Sequence, residues 1–298
     1  MSTATDFGAL VERAMRAGNY ARMRPVIEKE LLHYDILFAL DTRGLLDLLT
    51  FQGGTALRLC YDAQRFSEDL DFVGGRDFAA ATLLDMKSCI ERYVGQRYGL
   101  EVSVKEPREL AQEPEHRHVK VHKWQIRIVT APARPDLPKQ MIRVEVANVP
   151  AYTRMPQALR NRYDFLPDGY GDLIVLTESL DEIMADKLVA LVDCTAYLRH
   201  RDIWDLHWLQ QQGAKLEAEW VGRKIDDYGA QDYAAKAERL IGRLPEVIYG
   251  ADFTNQMSRF IPLDVQERTL LKGKFLALLV TETADVLREA ARSVGKGS

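Results

Sequence analysis

Two aspartates stand two residues apart in a segment that alternates polar and apolar side chains. Asp69 and Asp71 alternate with Leu70 and Phe72, a period of two that predicts a β-strand with both carboxylates on one face. Carboxylates held side by side repel each other unless a cation lies between them. Oxygen ligands of this kind suit Mg²⁺ or Mn²⁺. The pair therefore predicts a divalent-metal site.

A glycine pair precedes these aspartates. Gly53, Gly54 and Thr55 open a short run that predicts a helix. Glycines leave backbone N–H groups uncovered, and the positive end of the following helix points at the same place, which predicts a phosphate cradle. We assign Arg65 and Ser67, between the two motifs, to the same phosphate-binding set. Either motif alone is more typical of a turn or a solvated strand, whereas the two joined by a short helix favour a functional site.

The order of these motifs resembles the nucleotidyltransferase superfamily of the DNA polymerase β type. Residues 51–58 (FQGGTALR) and 65–72 (RFSEDLDF) are similar to the AbiEii/AbiGii toxin family. That family comprises nucleotidyltransferase toxins of bacterial abortive-infection, type IV toxin–antitoxin systems, which are related to the MenT toxins. Residues 28–37 (EKELLHYDIL) also resemble the family's N-terminal helix. The resemblance extends over roughly residues 25–210 and leaves the last part of the chain unassigned.

The resemblance implies a third carboxylate on a later strand. Glu145 is the best match, because residues 141–149 alternate so that Glu145 faces away from the core. Together with the aspartate pair it would complete the ligands of the metal. The alternative is that Arg143 and Glu145 only form a solvated strand face.

A lysine lies in the middle of a helix that is apolar almost all round. Residues 180–192 (LDEIMADKLVALV) predict a buried helix, and Lys187 within it needs an anion as a partner. The family resemblance makes that anion the nucleotide triphosphate, with Lys187 neutralising the charge that develops on pyrophosphate. The alternative is a structural ion pair with Glu182 or Asp186.

A second helical segment, RDIWDL at residues 201–206, matches the Arg-Asp-x-x-Asp helix of the family. Asp202 and Asp205 are three residues apart and share a helix face. We include both among the catalytic candidates, and the sequence leaves open which of them faces the site. A structural bridge from Arg201 to Asp205, four residues on, is the alternative.

Basic side chains cluster around one tryptophan in residues 116–127. A basic strand with an aromatic residue is typical of RNA binding, with the cations on phosphates and Trp124 stacked on a base. A plain solvated strand face explains the pattern equally well. The basic residues are His116, Arg117, His118, Lys120, His122, Lys123 and Arg127. His118 and His122 lack a well-placed third ligand, which disfavours zinc.

The length and composition of the chain indicate the domains that position these residues. The chain has 298 residues, a formal net charge of −4 and three scattered cysteines. This length predicts two domains, residues 1–176 (α/β with N-terminal helices) and 177–298 (helical). The expected fold class is α/β (α+β), a polymerase-β-like nucleotidyltransferase core with a small mixed sheet plus a C-terminal helical domain. Scattered thiols and the lack of a signal sequence or membrane-length apolar stretch indicate a cytoplasmic protein without membrane contact.

Together, the residues and the resemblance predict a metal-dependent nucleotidyltransferase toxin. It would transfer a nucleoside monophosphate from an NTP to an acceptor hydroxyl, with Mg²⁺ or Mn²⁺ as cofactor. The resemblance implies RNA as the acceptor, with tRNA the leading candidate, and a cognate antitoxin as a partner. Two alternatives remain open, a transferase for small antibiotic-type alcohols and a non-catalytic module that binds nucleotides or RNA.

Overall fold

The structure is a computed structural model of the chain. It describes residues 4–18, 20, 22–109, 119–134, 136, 138–194 and 197–294. The chain divides into two compact units, Met1–Thr177 and Glu178–Ser298. Within the described ranges, all strands belong to the first unit and the second unit is helical.

One mixed sheet forms the centre of the first unit. Its described strands are β1 (Thr50–Gln52), β2 (Leu70–Val73), β3 (Val102–Lys105), β4 (Val121–Ile128), β5 (Gln140–Ala147), β6 (Met155–Ala158) and β7 (Ile174–Thr177). They lie in the order β3-β4-β5-β2-β1-β7-β6. Strand β2 is parallel to β5 and β1 is parallel to β7, while the other neighbours are antiparallel. The predicted fold class with a small mixed sheet is confirmed.

Four α-helices accompany the sheet in the described part of this unit, α1 (Phe7–Ala17), α2 (Arg24–Asp41), α3 (Gly53–Leu59) and α4 (Met86–Tyr98). Strand β1 runs directly into α3, and the chain then returns antiparallel to β1 as β2. Gln52, the last residue of β1, is paired with Asp71. This connection places the glycine pair beside the aspartates.

The segment 150–176, whose prolines and glycines are typical of a connection between domains, contains β6 and most of β7 instead. Its prolines and glycines concealed the strand pattern. Pro156 lies in β6, which is an edge strand. An edge strand tolerates proline because the missing N–H removes no hydrogen bond from the interior of the sheet.

The second unit consists of packed helices, and the sequence predicted a helical domain for residues 177–298. The described helices are α5 (Leu180–Asp193), α6 (His200–Gln211), α7 (Ala218–Tyr228), α8 (Tyr233–Tyr249), α9 (Ala251–Ser258), α10 (Leu263–Arg268) and α11 (Gly273–Val294). Ser179 caps α5, since its side chain accepts a hydrogen bond from the Glu182 N–H. Among the residues that the structure describes, no helix has the length and apolar character needed to span a membrane.

Candidate active site

Three carboxylates lie together on neighbouring parallel strands of the first unit. Asp71 on β2 is directly opposite Glu145 on β5. Asp69, just before β2, accepts a hydrogen bond of 2.9 Å at Oδ1 from the backbone N–H of Arg143. The residues that alternate with them on both strands are buried in the core, so Asp71 and Glu145 face the other side of the sheet. The structure thus brings together the three residues predicted as metal ligands.

Two cations flank this cluster. Arg143 Nη1 lies 3.6 Å from Asp69 Oδ2, and Lys123 Nζ, on β4, lies 3.7 Å from Glu145 Oε1. The side chains of Asp69 and Glu145 are 24% and 25% exposed, so both carboxylates are in contact with solvent. Partly exposed carboxylate oxygens on adjacent strands are a donor set that fits Mg²⁺ or Mn²⁺.

The glycine pair leaves room for the side chains beside it. Gly53 has a φ of +74°, and a Cβ there would lie 2.9 Å from Asp71 Oδ2. At Gly54 a Cβ would lie 2.4 Å from Arg65 Nη2 and 3.0 Å from Ser67 Oγ. A guanidinium and a hydroxyl therefore lie against bare backbone next to a carboxylate. These are the donors that a phosphate group needs.

Thr55, which we assigned to the phosphate-binding set, has a contact that the sequence did not indicate. Its hydroxyl is buried and donates a hydrogen bond of 2.5 Å to the backbone carbonyl of Asp69. The side chain therefore holds the segment that carries the predicted metal ligands Asp69 and Asp71.

Lys187, Asp202 and Asp205 form one buried cluster within the second unit. Lys187 Nζ lies 2.9 Å from Asp202 Oδ1 and 2.7 Å from Asp205 Oδ2, so both aspartates face the lysine. Arg199 also pairs with Asp202. Burial opposes ionisation of Asp202, but Arg199 and Lys187 outweigh it and hold the pKa of that carboxyl below its ordinary value.

The alternative partners that we considered for Lys187 bind another lysine. Lys224 Nζ lies 2.8 Å from Glu182 Oε1, 2.8 Å from Asp186 Oδ2 and 3.0 Å from Glu178 Oε1. Three carboxylates this close could hold a metal ion, but the ammonium group already bridges them. Burial, reinforced by the charge of Asp186, raises the pKa of Glu178 well above its ordinary value. No motif in the sequence indicated Lys224 as the partner of these carboxylates.

The expectation that Trp124 stacks on an RNA base is wrong for this structure. Trp124 is 1% exposed and lies on the core face of β4. Lys123 and Arg127, an odd number of residues away, lie on the opposite face. His116, Arg117 and His118 lie outside the described residues. The basic segment does form a strand, β4, but Lys123 and Arg127 lie on one face of it and Trp124 lies on the other.

A known protein family matches most of the amino-acid sequence. The model of the nucleotidyl transferase AbiEii toxin family, type IV toxin–antitoxin system, matches residues 35–279. The chain belongs to the AbiEii family. The resemblance stated from the motifs is therefore confirmed, and the protein is a nucleotidyltransferase of a toxin family.

Two solved structures are similar to this AbiEii-family protein. MenT4, the nucleotidyltransferase toxin Rv2826c from Mycobacterium tuberculosis H37Rv, is 18% identical with a TM-score of 0.52, covering 96% of this chain and 98% of its own. JHP933 from Helicobacter pylori is 19% identical with a TM-score of 0.43, covering 91% of this chain and 94% of its own. No curated protein sequence matches the chain. At this identity the MenT4 likeness supports the fold alone.

Helix α2 of the AbiEii-family protein fixes the residue before Asp69. Lys29 Nζ lies 2.9 Å from Glu68 Oε1, and His33 Nε2 lies 3.0 Å from the backbone carbonyl oxygen of Glu68. Because a carbonyl only accepts, His33 Nε2 carries the proton and donates. In the sequence, residues 28–37 indicated only the family resemblance. The polar pair at a spacing of four on a buried helix was the signal that could have revealed the contact.

Burial of His33 predicts a loss of stability in mild acid. Burial lowers the pKa of His33 from 6.5 to about 4, so below pH 6.5 the unfolded chain takes up a proton that the folded chain resists. The stability that neutral His33 contributes is present above the pKa of the unfolded chain and is lost as the pH falls toward the pKa of the folded chain. The free energy of unfolding should therefore fall by about 2 kcal/mol between pH 7 and pH 5. Urea unfolding of wild type and His33→Gln at both pH values measures it.

The His33→Gln variant keeps a donor but does not titrate, so its free energy of unfolding should depend less on pH than that of wild type. Asp35 acts in the opposite direction, because burial raises its pKa to about 6. That effect is present in both proteins and cancels in the comparison. Equal pH dependence of the two proteins would contradict the prediction.

A methyl group at Gly54 should weaken NTP binding. In Gly54→Ala the new Cβ displaces the Arg65 guanidinium and crowds Ser67 Oγ. Since the guanidinium is the flexible end of its side chain, the fold should survive. The KM for NTP should rise by about tenfold, which is about 1.4 kcal/mol, in steady-state kinetics. Gly171→Ala, where a Cβ meets nothing within 4 Å, is the matched control, and an unchanged KM in Gly54→Ala would remove Arg65 and Ser67 from the phosphate site.

Proposed function

We propose that the protein transfers a nucleoside monophosphate from an NTP to an acceptor hydroxyl, with pyrophosphate as the leaving group. The observation that carries this proposal is the position of Asp71. Its carboxylate is opposite Glu145 on one side and lies against Gly53 on the other. The three carboxylates thus adjoin groups that can donate hydrogen bonds to a phosphate, and this arrangement supports nucleotidyl transfer with a bound divalent metal.

In this proposal Asp69, Asp71 and Glu145 hold Mg²⁺ or Mn²⁺. When bound, these ions supply charge stabilisation to the attacking and leaving oxygens. Glu145 accepts the proton of the attacking hydroxyl. The backbone of Gly53, Gly54 and Thr55, with the side chains of Arg65 and Ser67, binds the triphosphate. Lys187, held by Asp202 and Asp205, neutralises charge on the departing pyrophosphate.

We further propose that the acceptor is RNA, with tRNA as the first candidate, and that the protein acts in the cytoplasm as a growth-arresting toxin. The type IV toxin–antitoxin family implies a cognate antitoxin as the partner. The exposed cations of β4 and β5, next to the carboxylates, support a polyanionic acceptor over a small uncharged alcohol.

The test is a labelling assay with purified, antitoxin-free protein. Each α-labelled ribonucleoside triphosphate is incubated in turn with Mg²⁺ or Mn²⁺ and either total cellular RNA or a panel of aminoglycoside-type alcohols. We expect label from one NTP to enter RNA, and Asp71→Asn to prevent it. Label on small alcohols alone would support the antibiotic-type transferase. No label on any acceptor would favour the non-catalytic binding module.

A further inference from the structure

The sheet of the first unit has a basic face beside its carboxylates. Opposite residues in paired strands point to the same side of a sheet. Lys105 on β3 is paired with Gln125 on β4, and Gln125 with Arg143 on β5. Lys123 is paired with Glu145. We call the surface formed by the four cations of these strands the basic face. They are Lys105, Lys123, Arg127 and Arg143.

The charge on this face is one-sided. Among the residues of β3, β4 and β5 there is a single carboxylate, that of Glu145. Lys105, Arg127 and Arg143 are exposed and Lys123 is half-buried. Neighbouring strands lie about 4.8 Å apart and alternate residues about 6.7 Å apart along a strand. The four cations therefore form a compact patch that ends at the metal-binding cluster.

The order of the strands separates this patch from the phosphate donors. In the strand order β4-β5-β2-β1, Glu145 and Asp71 lie on the two central strands, β5 and β2. Gly53 and Gly54 follow β1 on one side, and the basic face lies on the other. Nucleotidyl transfer needs the NTP and the acceptor on opposite sides of the reacting phosphate. Since the donors beside β1 suit the triphosphate, the basic face is left for the acceptor.

We propose that the basic face binds the sugar–phosphate backbone of the RNA acceptor and directs its reacting hydroxyl to the carboxylates. This rests on the proposed function. The described residues of β3, β4 and β5 place no aromatic ring on this face, because Trp124 and His122 lie on the other side. Binding therefore depends on phosphate charge and salt and tolerates changes of base sequence.

The test measures the salt dependence of RNA binding by the full chain. Fluorescence anisotropy of a fluorescein-labelled single-stranded RNA oligonucleotide is recorded over a series of KCl concentrations, without NTP. In the double variant Lys105→Ala/Arg127→Ala the slope of log K against log salt should become less steep by about 1.4, since each phosphate contact on a single strand contributes about 0.7. Oligonucleotides of different sequence should bind wild type alike.

The control variant Arg239→Ala/Arg243→Ala removes the same charge from exposed positions on α8, and its slope should equal that of wild type. An unchanged slope in the Lys105/Arg127 variant, or an equal change in the control, overturns the proposal. Transfer kinetics separate this failure from that of the proposed function. If wild type labels RNA but the Lys105/Arg127 variant keeps its KM for RNA, only the basic face is wrong. If wild type labels only small alcohols, the RNA acceptor itself is wrong.

Discussion

Replacing Asp71 by Asn is expected to abolish nucleotide transfer while the protein keeps its fold. The side chain keeps its shape but loses the charge with which, in the proposed function, it would help to hold a divalent cation. Because Asp71 is opposite Glu145, and like charges directly opposite each other destabilise a sheet, the melting temperature of the metal-free protein should hold or rise. The rate of transfer should fall by at least about a thousandfold, measured in single-turnover assays beside urea unfolding.

Asp71 is a cleaner test than Asp69, because Asp69 also accepts a hydrogen bond from the Arg143 backbone and its loss would disturb the strand. Asp77→Asn changes an exposed aspartate of the same unit and serves as the control, with normal activity expected. Full activity in Asp71→Asn would remove this residue from the metal site. A lower melting temperature together with residual activity would mean that the carboxylate has a structural role instead.

The strands that carry the carboxylates could be predicted from the sequence because burial of one face enforces a period of two. Leu70 and Phe72 on β2, like Val144 and Val146 on β5, are buried, and this alone determines which way the acidic residues point. The pairing of β2 with β5, which brings Glu145 to Asp71, came from the family resemblance. No local pattern specifies which distant strand will be a neighbour.

The same rule, applied strictly, would have corrected the error at Trp124. We grouped the basic residues of this segment by composition, whereas the alternation of β4 separates Trp124 from Lys123 and Arg127. Strands β6 and β7 were missed for a different reason. They are four residues each, and such short strands acquire their conformation from pairing within the sheet and carry little pattern of their own.

Ion pairs between helices were the least predictable part of the candidate site. Glu182 and Asp186 are five and one residues before Lys187, and neither spacing brings side chains together on a helix. A spacing of four residues instead separates Glu178 from Glu182 and Glu182 from Asp186. This spacing aligns the three carboxylates on one face. Because these three carboxylates lie at the start of a helix predicted to be buried, they require a cation from another element. The sequence does not say that it would be Lys224.

Lys187 and Lys224 together allow the catalytic proposal to be separated from a structural role. Each is a buried lysine whose ammonium group bridges two or more carboxylates in the second unit. Replacement by Met should lower the free energy of unfolding in both cases by about 3–5 kcal/mol, since carboxylates are left buried without their partner. Only Lys187→Met should also impair transfer, by at least about a hundredfold in kcat/KM per folded molecule.

The comparison is made at low temperature, where urea titration gives the folded fraction of each variant and rates are scaled to it. Loss of charge neutralisation on pyrophosphate predicts that kcat falls in Lys187→Met, because the charge develops in the transition state. Lys224→Met should keep the kcat and KM of wild type, since the proposal gives it no part in the reaction. If the two variants lose stability equally and both keep normal kinetics, Lys187 is a structural ion-pair residue. If both variants lose activity per folded molecule to the same extent, the packing of α5 controls the reaction and Lys187 has no separate role.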